Sequence, residues 1–289
     1  MKKLLSAWGC TVAVVCGTGA ATTINPSNFA AWSPNLGWVN CRGDTANGAV
    51  VSEYVCSGFI WGANVGWINL GDGSPLNGIR YQNTAADDCG VNLDALGNLQ
   101  GFAWGANIGW VNFHPLGTPR IDLLTGNLSG YAWGANVGWI SLSNAFAQVQ
   151  TDAIQPGADS DGDGIADSWE RLKFGGLAIA TATSDADGDG ASDLNEYGAD
   201  TDPRDAASHL RISGFAVSPG GSPVTATWTS TETRYYRLWG ATQLAPATWS
   251  ELGLGLITPD PGASTTRAFA NPAAPSRFYR VEPVRPLFP

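Results

Sequence analysis

The sequence predicts a mainly β protein made of several modules, with a short segment of loops and helices between two β modules. Three observations predict this fold class. Four similar tryptophan-containing segments lie in the first half of the chain, a dense acidic block lies in the middle, and strand-like runs alternate with turn residues towards the end. Internal repeats of this kind are typical of stacked β architectures.

Composition narrows the class of protein further. The 289 residues suffice for one to three domains. Charged residues make up only 14%, against about 25% in an average globular protein, whereas 37 glycines and 13 tryptophans are high counts. The net charge of −10 argues against nucleic acid as a partner, because phosphate neutralisation needs basic patches.

Residues 1–21 have the pattern of a secretory signal peptide. Lys2 and Lys3 precede an uncharged apolar stretch, and small residues near Ala20 and Ala21 offer a cleavage site. The apolar stretch is shorter than the roughly 20 residues that span a bilayer. We therefore expect a secreted protein, located outside the cell or on its surface, with no membrane span in the mature chain.

The domain predicted over residues 22–150 contains four copies of one repeat, at residues 29–40, 59–69, 102–112 and 131–141. The intervals of 29, 43 and 29 residues separate the first tryptophans of the copies, Trp32, Trp61, Trp104 and Trp133. The long interval indicates an insertion in residues 71–88. Alternating side chains followed by Asn and Gly predict strand, turn and strand in each copy. The copies would form a β-meander arranged as a solenoid, a sandwich or a propeller-like stack.

The repeat tryptophans have two interpretations. A large ring packs well over glycine, which favours a ladder of buried rings as a structural core. The alternative is a carbohydrate-binding surface, where ring faces stack on sugar C–H groups and the repeat asparagines bond hydroxyls. Its candidate residues are Trp104, Trp110, Trp133 and Trp139. The repeats resemble Gly-Tyr-Ala-Trp-x-x-Asn-x-Gly-Trp-Ile repeats of predicted bacterial surface proteins; this resemblance covers residues 28–143 and implies no activity.

Three cysteines follow the signal peptide. In an oxidising compartment Cys41 and Cys56 are the candidate disulfide pair, across the link between the first two repeats. Cys89 would then be free or bonded to another chain. The sequence leaves the pairing open.

The acidic block, within a segment predicted over residues 151–208, resolves into two twelve-residue loops. Residues 159–170 and 185–196 carry acids at positions 1, 3, 5, 9 and 12 and glycine at position 6, as in the calcium loop of an EF-hand. A solvated acidic linker is the plainer alternative. The sequence therefore predicts two Ca²⁺ ions. Their ligands would be Asp159, Asp161, Asp163, Ile165, Asp167 and Glu170 in the first loop, and Asp185, Asp187, Asp189, Ala191, Asp193 and Glu196 in the second, with carbonyl oxygens at position 7.

A short helix is expected at the end of each loop, over residues 168–174 and 194–197. Each helix is stopped by glycine. A small core would form from Trp169, Leu172, Phe174 and Tyr197. The loops resemble thrombospondin type 3-like and dockerin-like calcium repeats of secreted bacterial proteins. That resemblance implies a calcium-stabilised segment and, for true dockerins, a cohesin partner, but these helices are short and lack a matched recognition pair.

Residues 209–289 contain six strand-like runs, which predict a small β-sandwich. The segment Arg277-Phe-Tyr-Arg-Val281 resembles the last strand of fibronectin-type-III-like modules. The runs cover residues 210–217, 224–230, 235–241, 249–252, 265–270 and 278–281.

No enzyme motif emerges from the sequence. The chain has two histidines and lacks a nucleophile elbow, a zinc-binding pair and a phosphate loop. We therefore expect a secreted, non-enzymatic, calcium-binding structural protein of the cell surface, with a cell-surface glycan or another surface protein as candidate partner. The alternatives are a carbohydrate-binding adhesion protein that uses the repeat tryptophans, and a dockerin-like module for calcium-dependent protein interaction.

Overall fold

The computed structural model describes residues 21–44, 46–270 and 277–289, so the predicted signal peptide, except for Ala21, lies outside the described residues. The described chain is mainly β, as predicted, with 20 strands, two α-helices and one 3₁₀-helix. None of its helices has the length and apolar character needed to cross a membrane.

The first half of the chain forms fourteen strands. They are β1 (Ile24–Ser33), β2 (Gly37–Asn40), β3 (Val50–Val51), β4 (Cys56–Ser57), β5 (Phe59–Gly62), β6 (Gly66–Asn69), β7 (Val91–Leu93), β8 (Leu99–Gly105), β9 (Gly109–Phe113), β10 (Arg120–Ile121), β11 (Leu128–Ser129), β12 (Tyr131–Gly134), β13 (Gly138–Ser141) and β14 (Val149–Thr151). A 3₁₀-helix, Pro115–Gly117, follows β9. The insertion predicted in residues 71–88 falls in the connection between β6 and β7.

Eight of these strands close into an antiparallel barrel. Each repeat forms one hairpin (β1–β2, β5–β6, β8–β9 and β12–β13), as the strand-turn-strand prediction requires. The barrel closes where Trp32 of β1 pairs with Ser141 of β13. The predicted solenoid, sandwich and propeller-like arrangements are therefore wrong, because the last hairpin pairs with the first and leaves the ring of hairpins without a free edge.

The barrel interior is filled by small and branched apolar side chains. Neighbouring residues of a strand point to opposite faces. In each repeat strand the tryptophan points outwards, so the aliphatic residue next to it points into the barrel. These aliphatic residues are Ala31, Val39, Ile60, Ile68, Ala103, Val111, Ala132 and Ile140, all buried.

The four hairpin turns are joined by a closed ring of hydrogen bonds. In each turn the Nδ2 of the repeat asparagine donates to a main-chain carbonyl in the turn of the neighbouring hairpin, at 3.0 Å in all four cases. The pairs are Asn64 to Leu36, Asn107 to Val65, Asn136 to Ile108 and Asn35 to Val137. Of the accepting residues, Leu36, Ile108 and Val137 belong to the barrel core at this end, and Val65 packs against it. The turn asparagines thus join each hairpin to its neighbour.

The candidate disulfide between Cys41 and Cys56 is not formed. Both are free cysteines, and both are buried in the barrel core, where they pack as small apolar side chains. Burial raises the pKa of each of these thiols to about 12. Cys89 is a third free cysteine and is partly exposed.

The second half of the chain begins with two helices, α1 (Asp167–Phe174) and α2 (Asp193–Ala199). Gly175 ends α1 in the left-handed conformation, as predicted. The predicted stop of α2 at Gly198 is wrong, because the helix continues to Ala199 and ends at Asp200, with φ of 56°. Arg234 stabilises this last turn by donating to the carbonyls of Gly198 and Tyr197, at 2.7 and 3.1 Å.

The six strands predicted towards the C-terminus all form, with slightly different ends. They are β15 (Ile212–Val217), β16 (Val224–Thr229), β17 (Tyr235–Ala241), β18 (Ser250–Glu251), β19 (Ser264–Phe269) and β20 (Phe278–Val284). They make two three-stranded sheets, β15-β16-β19 and β18-β17-β20. Trp228 of one sheet and Tyr236 of the other are buried with ring centres 5.9 Å apart, so both sheets contribute to one core.

Candidate metal centre

Three aspartate side chains converge in each acidic loop. In the first loop, carboxylate oxygens of Asp159, Asp161 and Asp163 all lie within 4.8 Å of one another. Asp185, Asp187 and Asp189 have the same arrangement in the second loop. These are positions 1, 3 and 5 of the predicted ligand pattern, and oxygen atoms grouped in this way could hold a metal ion.

Main-chain amides shape the two loops. The N–H groups of Gly162 and Gly164 donate to the two carboxylate oxygens of Asp159, at 2.8 and 3.0 Å. Gly164, at position 6, has φ of +92°, which L side chains rarely adopt. The second loop repeats this geometry on Asp185, with Gly190 at φ of +94°. The turn predicted at position 6 is therefore confirmed in both loops.

Position 7 orients the carboxylate at position 5. The N–H of Ile165 donates to Asp163 at 2.8 Å, and that of Ala191 donates to Asp189 at 2.7 Å. The ligand role of the Ile165 and Ala191 carbonyls stays a prediction.

Glu170, at position 12 of the first loop, is buried without compensation. Its side chain is fully shielded from solvent, with 0% of the residue exposed, and neither carboxylate oxygen has a hydrogen-bond partner among the described residues. The Oδ2 atom of Asp163 is buried and unpartnered in the same way. Burying a charge is costly unless an opposite charge or hydrogen bonds offset the lost hydration, and within the described residues no hydrogen bond reaches these three oxygens.

Glu196 is the equivalent residue of the second loop. Its Oε1 accepts a hydrogen bond of 3.0 Å from Thr201, while Oε2 is buried and has no partner within the described chain. Oδ2 of Asp187 is also buried and unpartnered. The glutamate of the second loop therefore resembles that of the first loop, with one additional hydrogen bond.

The electrostatic cost of this arrangement appears in the pKa values. Burial raises the pKa of Glu170 to about 7, and repulsion from Asp161 and Asp163 adds to the increase. Burial also raises the pKa of Glu196 to about 7, against the opposing hydrogen bond from Thr201. A cation in either loop would reverse these shifts by favouring the charged carboxylate.

The acids at position 9 fasten each loop to its helix. Asp167 accepts hydrogen bonds from the N–H and the hydroxyl of Ser160, at 2.7 and 2.6 Å, and pairs with Arg171 at 3.3 Å. Asp193 accepts from the hydroxyl of Ser184 at 2.6 Å. The structure does not group these two predicted ligands with the aspartate triads, because each is used at the start of a helix, where negative charge is favourable.

Two of the contacts around the second loop and its helix come from distant residues that sequence reasoning missed. Nδ1 of His209 lies 2.6 Å from Oδ2 of Asp189, and Arg234 binds the end of α2 as described above. No local pattern in the sequence marks either residue, because both contacts depend on how the C-terminal sheets pack against the loop.

A small apolar core lies beneath the loops. Ile165, Trp169 and Tyr197 are buried in it, and Phe174 packs against it. The prediction for Leu172 is wrong, since it is largely exposed on the outer side of α1. Helix α1 therefore turns its two aromatic residues inwards and its leucine outwards.

The repeat tryptophans lie on the outside of the barrel. All eight are between 36% and 53% exposed, so the expected ladder of buried rings is wrong. Successive side chains of a strand point to opposite faces, and the aliphatic neighbours of the tryptophans occupy the interior. The predicted glycan-contact residues form two edge-to-face pairs: Trp104 with Trp110 at 4.7 Å between ring centres, and Trp133 with Trp139 at 4.9 Å.

The chain matches no protein-family model, and comparisons with curated proteins and with solved structures give no match.

Proposed function

We propose that this chain is a non-enzymatic, modular extracellular protein whose middle segment binds two calcium ions and is stabilised by them. The observation that carries the proposal is Glu170, a fully buried carboxylate without a partner beside three converging aspartates. A bound cation would remove both the buried uncompensated charge and the repulsion within the triad.

The donor set favours calcium over other metals. Both triads offer only carboxylate oxygens, and each loop adds a glutamate at position 12. Oxygen-rich sites of this kind suit hard cations, whereas zinc and copper sites are built mainly from His and Cys. The twelve-residue spacing and the left-handed glycine at position 6 fit a calcium loop in particular.

The proposed architecture has a repeat domain over residues 22–150, a calcium-binding segment over 151–208 and a β-sandwich over 209–289. Three separate buried clusters support this division, one in the barrel, one beneath the acidic loops and one between the C-terminal sheets. Secretion, or display on the cell surface, follows from the pattern of residues 1–21.

A dockerin-like role is less well supported. Recognition by a partner in that mode would need a matched pair of free helix faces, one on α1 and one on α2. Helix α2 is already occupied on two sides, since Tyr197 contacts Glu53 of the first half and Arg234 contacts the helix end.

Calorimetry with and without calcium tests the proposal. We expect added CaCl₂ to raise the melting temperature of the chelator-treated protein, by an amount equivalent to about 2.7 kcal/mol per site, or about 5 kcal/mol for two sites, at a hundredfold excess over Kd. Isothermal titration should give two ions per chain. An unchanged melting profile, or the absence of binding heat, would overturn the proposal.

Substitution of Glu170 sharpens the test. Glu170→Gln preserves the volume and removes the buried charge, so we expect it to stabilise the metal-free protein and to reduce the stoichiometry to one ion. A residue with a merely structural role would not produce these opposite effects with and without calcium. Glu251→Gln, at an exposed glutamate of β18, is the matched control and should change neither quantity.

A further inference from the structure

The first repeat differs from the other three at one outward position. In the later repeats Phe59, Phe102 and Tyr131 contact the second tryptophan of their hairpins, with ring centres 6.1, 5.9 and 6.0 Å apart. The strand register places Ala30 at this position, because Ala30 pairs with Asn40 as Phe59 pairs with Asn69. The first hairpin therefore lacks the covering ring.

Trp38 is uncovered as a result. It is 53% exposed, whereas the equivalent Trp67, Trp110 and Trp139 are 42%, 42% and 44% exposed. The sequence aligns Phe29 with the covering aromatic residues, but β1 carries one additional residue before Trp32. Because of this additional residue, Phe29 pairs with Val149 of β14 and packs against the barrel core.

An open groove of about 630 Å³ lies beside Trp38. Its walls come from the first hairpin, from Trp61 of the second hairpin and from the segment after β13, where Phe146 is 87% exposed. Ala30, in the place of the missing ring, lines the groove. Four aromatic residues thus line the groove, since Phe29 is among them together with Trp38, Trp61 and Phe146.

The polar lining of the groove consists of uncharged groups. Asn28, Asn40, Asn144 and Gln148 contribute amides, and none of the groove-lining residues is charged. Several amides are held in place: Asn28 Nδ2 donates to Gln150 at 2.7 Å, and Gln148 Oε1 accepts from Ser143 at 2.8 Å. Within the described chain, Oδ1 of Asn28 and Nδ2 of Asn144 have no hydrogen-bond partner, so the groove offers both an acceptor and a donor.

We propose that this groove binds a neutral saccharide chain, with Trp38 as its principal stacking surface. Aromatic rings complement the apolar C–H faces of sugars, and amides donate to and accept from neighbouring hydroxyls. The absence of charged side chains from the lining disfavours acidic or basic ligands. This site differs from the earlier candidates Trp104, Trp110, Trp133 and Trp139, whose hairpins carry a covering aromatic ring. It is independent of the calcium proposal.

The test is affinity electrophoresis of the full chain in native gels that contain a neutral β-glucan, a galactomannan or an arabinoxylan. We expect retardation by at least one of them. Trp38→Ala should weaken that binding by about tenfold or more, which corresponds to about 1.4 kcal/mol. Ala30→Phe should also weaken it, because the new ring would cover Trp38 as Phe59 covers Trp67.

Trp110→Ala is the matched control, since it removes an equivalent outer tryptophan from a covered hairpin and should retain binding. Thermal melting of each variant checks that the barrel remains folded, and Ala30→Phe introduces a residue that two other repeats already carry. Retardation by none of the three polysaccharides would overturn the proposal. So would an equal loss in Trp110→Ala, or binding of a ten-residue polyproline peptide in place of the saccharides.

Discussion

The hydroxyl of Tyr197 donates a hydrogen bond of 2.7 Å to Oε2 of Glu53, from α2 to the barrel half of the chain, across 144 positions of sequence. Arg285, near the C-terminus, lies 3.9 Å from the other oxygen of Glu53 and stacks 4.4 Å from the centre of the Tyr197 ring. One residue of α2 therefore contacts both the first part of the chain and the segment that follows its last strand.

Tyr197→Phe removes this hydrogen bond and preserves the ring. Burial and the neighbouring Glu53 charge raise the pKa of Tyr197, so its hydroxyl is protonated and donates at neutral pH. We expect the free energy of unfolding to fall by about 1.5–3 kcal/mol, the usual value for a hydrogen bond to a charged group. Urea denaturation measures the loss. Tyr131→Phe, at an exposed position occupied by Phe in two other repeats, should cost much less, and an equal cost would contradict the prediction.

The ring of turn asparagines leads to a second prediction. Asn136→Ala removes the donor to the Ile108 carbonyl and should lower the free energy of unfolding by about 1 kcal/mol. Asn64→Ala should cost a similar amount, because its bond to Leu36 has the same length. Chemical denaturation checks both values. Asn112→Ser is the control, since the fourth repeat carries Ser141 at that position and barrel closure tolerates it.

Cysteine reactivity provides a third prediction. Because burial raises the pKa of Cys41 and Cys56 to about 12, only about one thiol in 10,000 is ionised near pH 8. The thiolate is the reactive form, so labelling of the native protein by iodoacetamide should modify Cys89 alone and should accelerate as pH rises. After denaturation without reductant, mass spectrometry of the chain without residues 1–21 should find three adducts. One adduct would instead indicate a disulfide between Cys41 and Cys56.

The sequence predicted the strands of each repeat, the C-terminal strands and the two loop turns because each depends on local chemistry. Alternation predicts a strand, and glycine at position 6 predicts a left-handed turn. Alternation could not identify the inner face of the barrel. Trp104 and Ala103 are both apolar, and only closure of the ring of hairpins decides that the smaller residue faces inwards.

The candidate metal centre was predicted more fully than its surroundings. Fixed spacing within twelve residues predicted the aspartate triads, because a short loop brings its own side chains together. Spacing could not show that Asp167 would be held by Ser160, or that His209 would contact Asp189. These contacts depend on alternatives for hydrogen bonding and on packing between distant segments.

The last prediction concerns the turn of the fourth hairpin, at one end of the barrel. A Cβ on Gly134 would lie 2.5 Å from Cγ2 of Val137, a residue buried at the turn end of the core. Both residues belong to a hairpin whose turn is only three residues long, which limits how far either atom can move. Gly134→Ala should therefore lower the free energy of unfolding by about 1–3 kcal/mol through overpacking. Val137→Ala alone should also destabilise, since it leaves a cavity. In the double variant each change relieves the other, so the combined loss should be smaller than the sum of the single losses by about 0.5 kcal/mol or more. Denaturation of all four proteins measures this coupling.

Gly134→Ala combined with Val224→Ala, in the separate C-terminal core, should show simple additivity. If the two pairs gave the same coupling, the contact between Gly134 and Val137 would not be the cause.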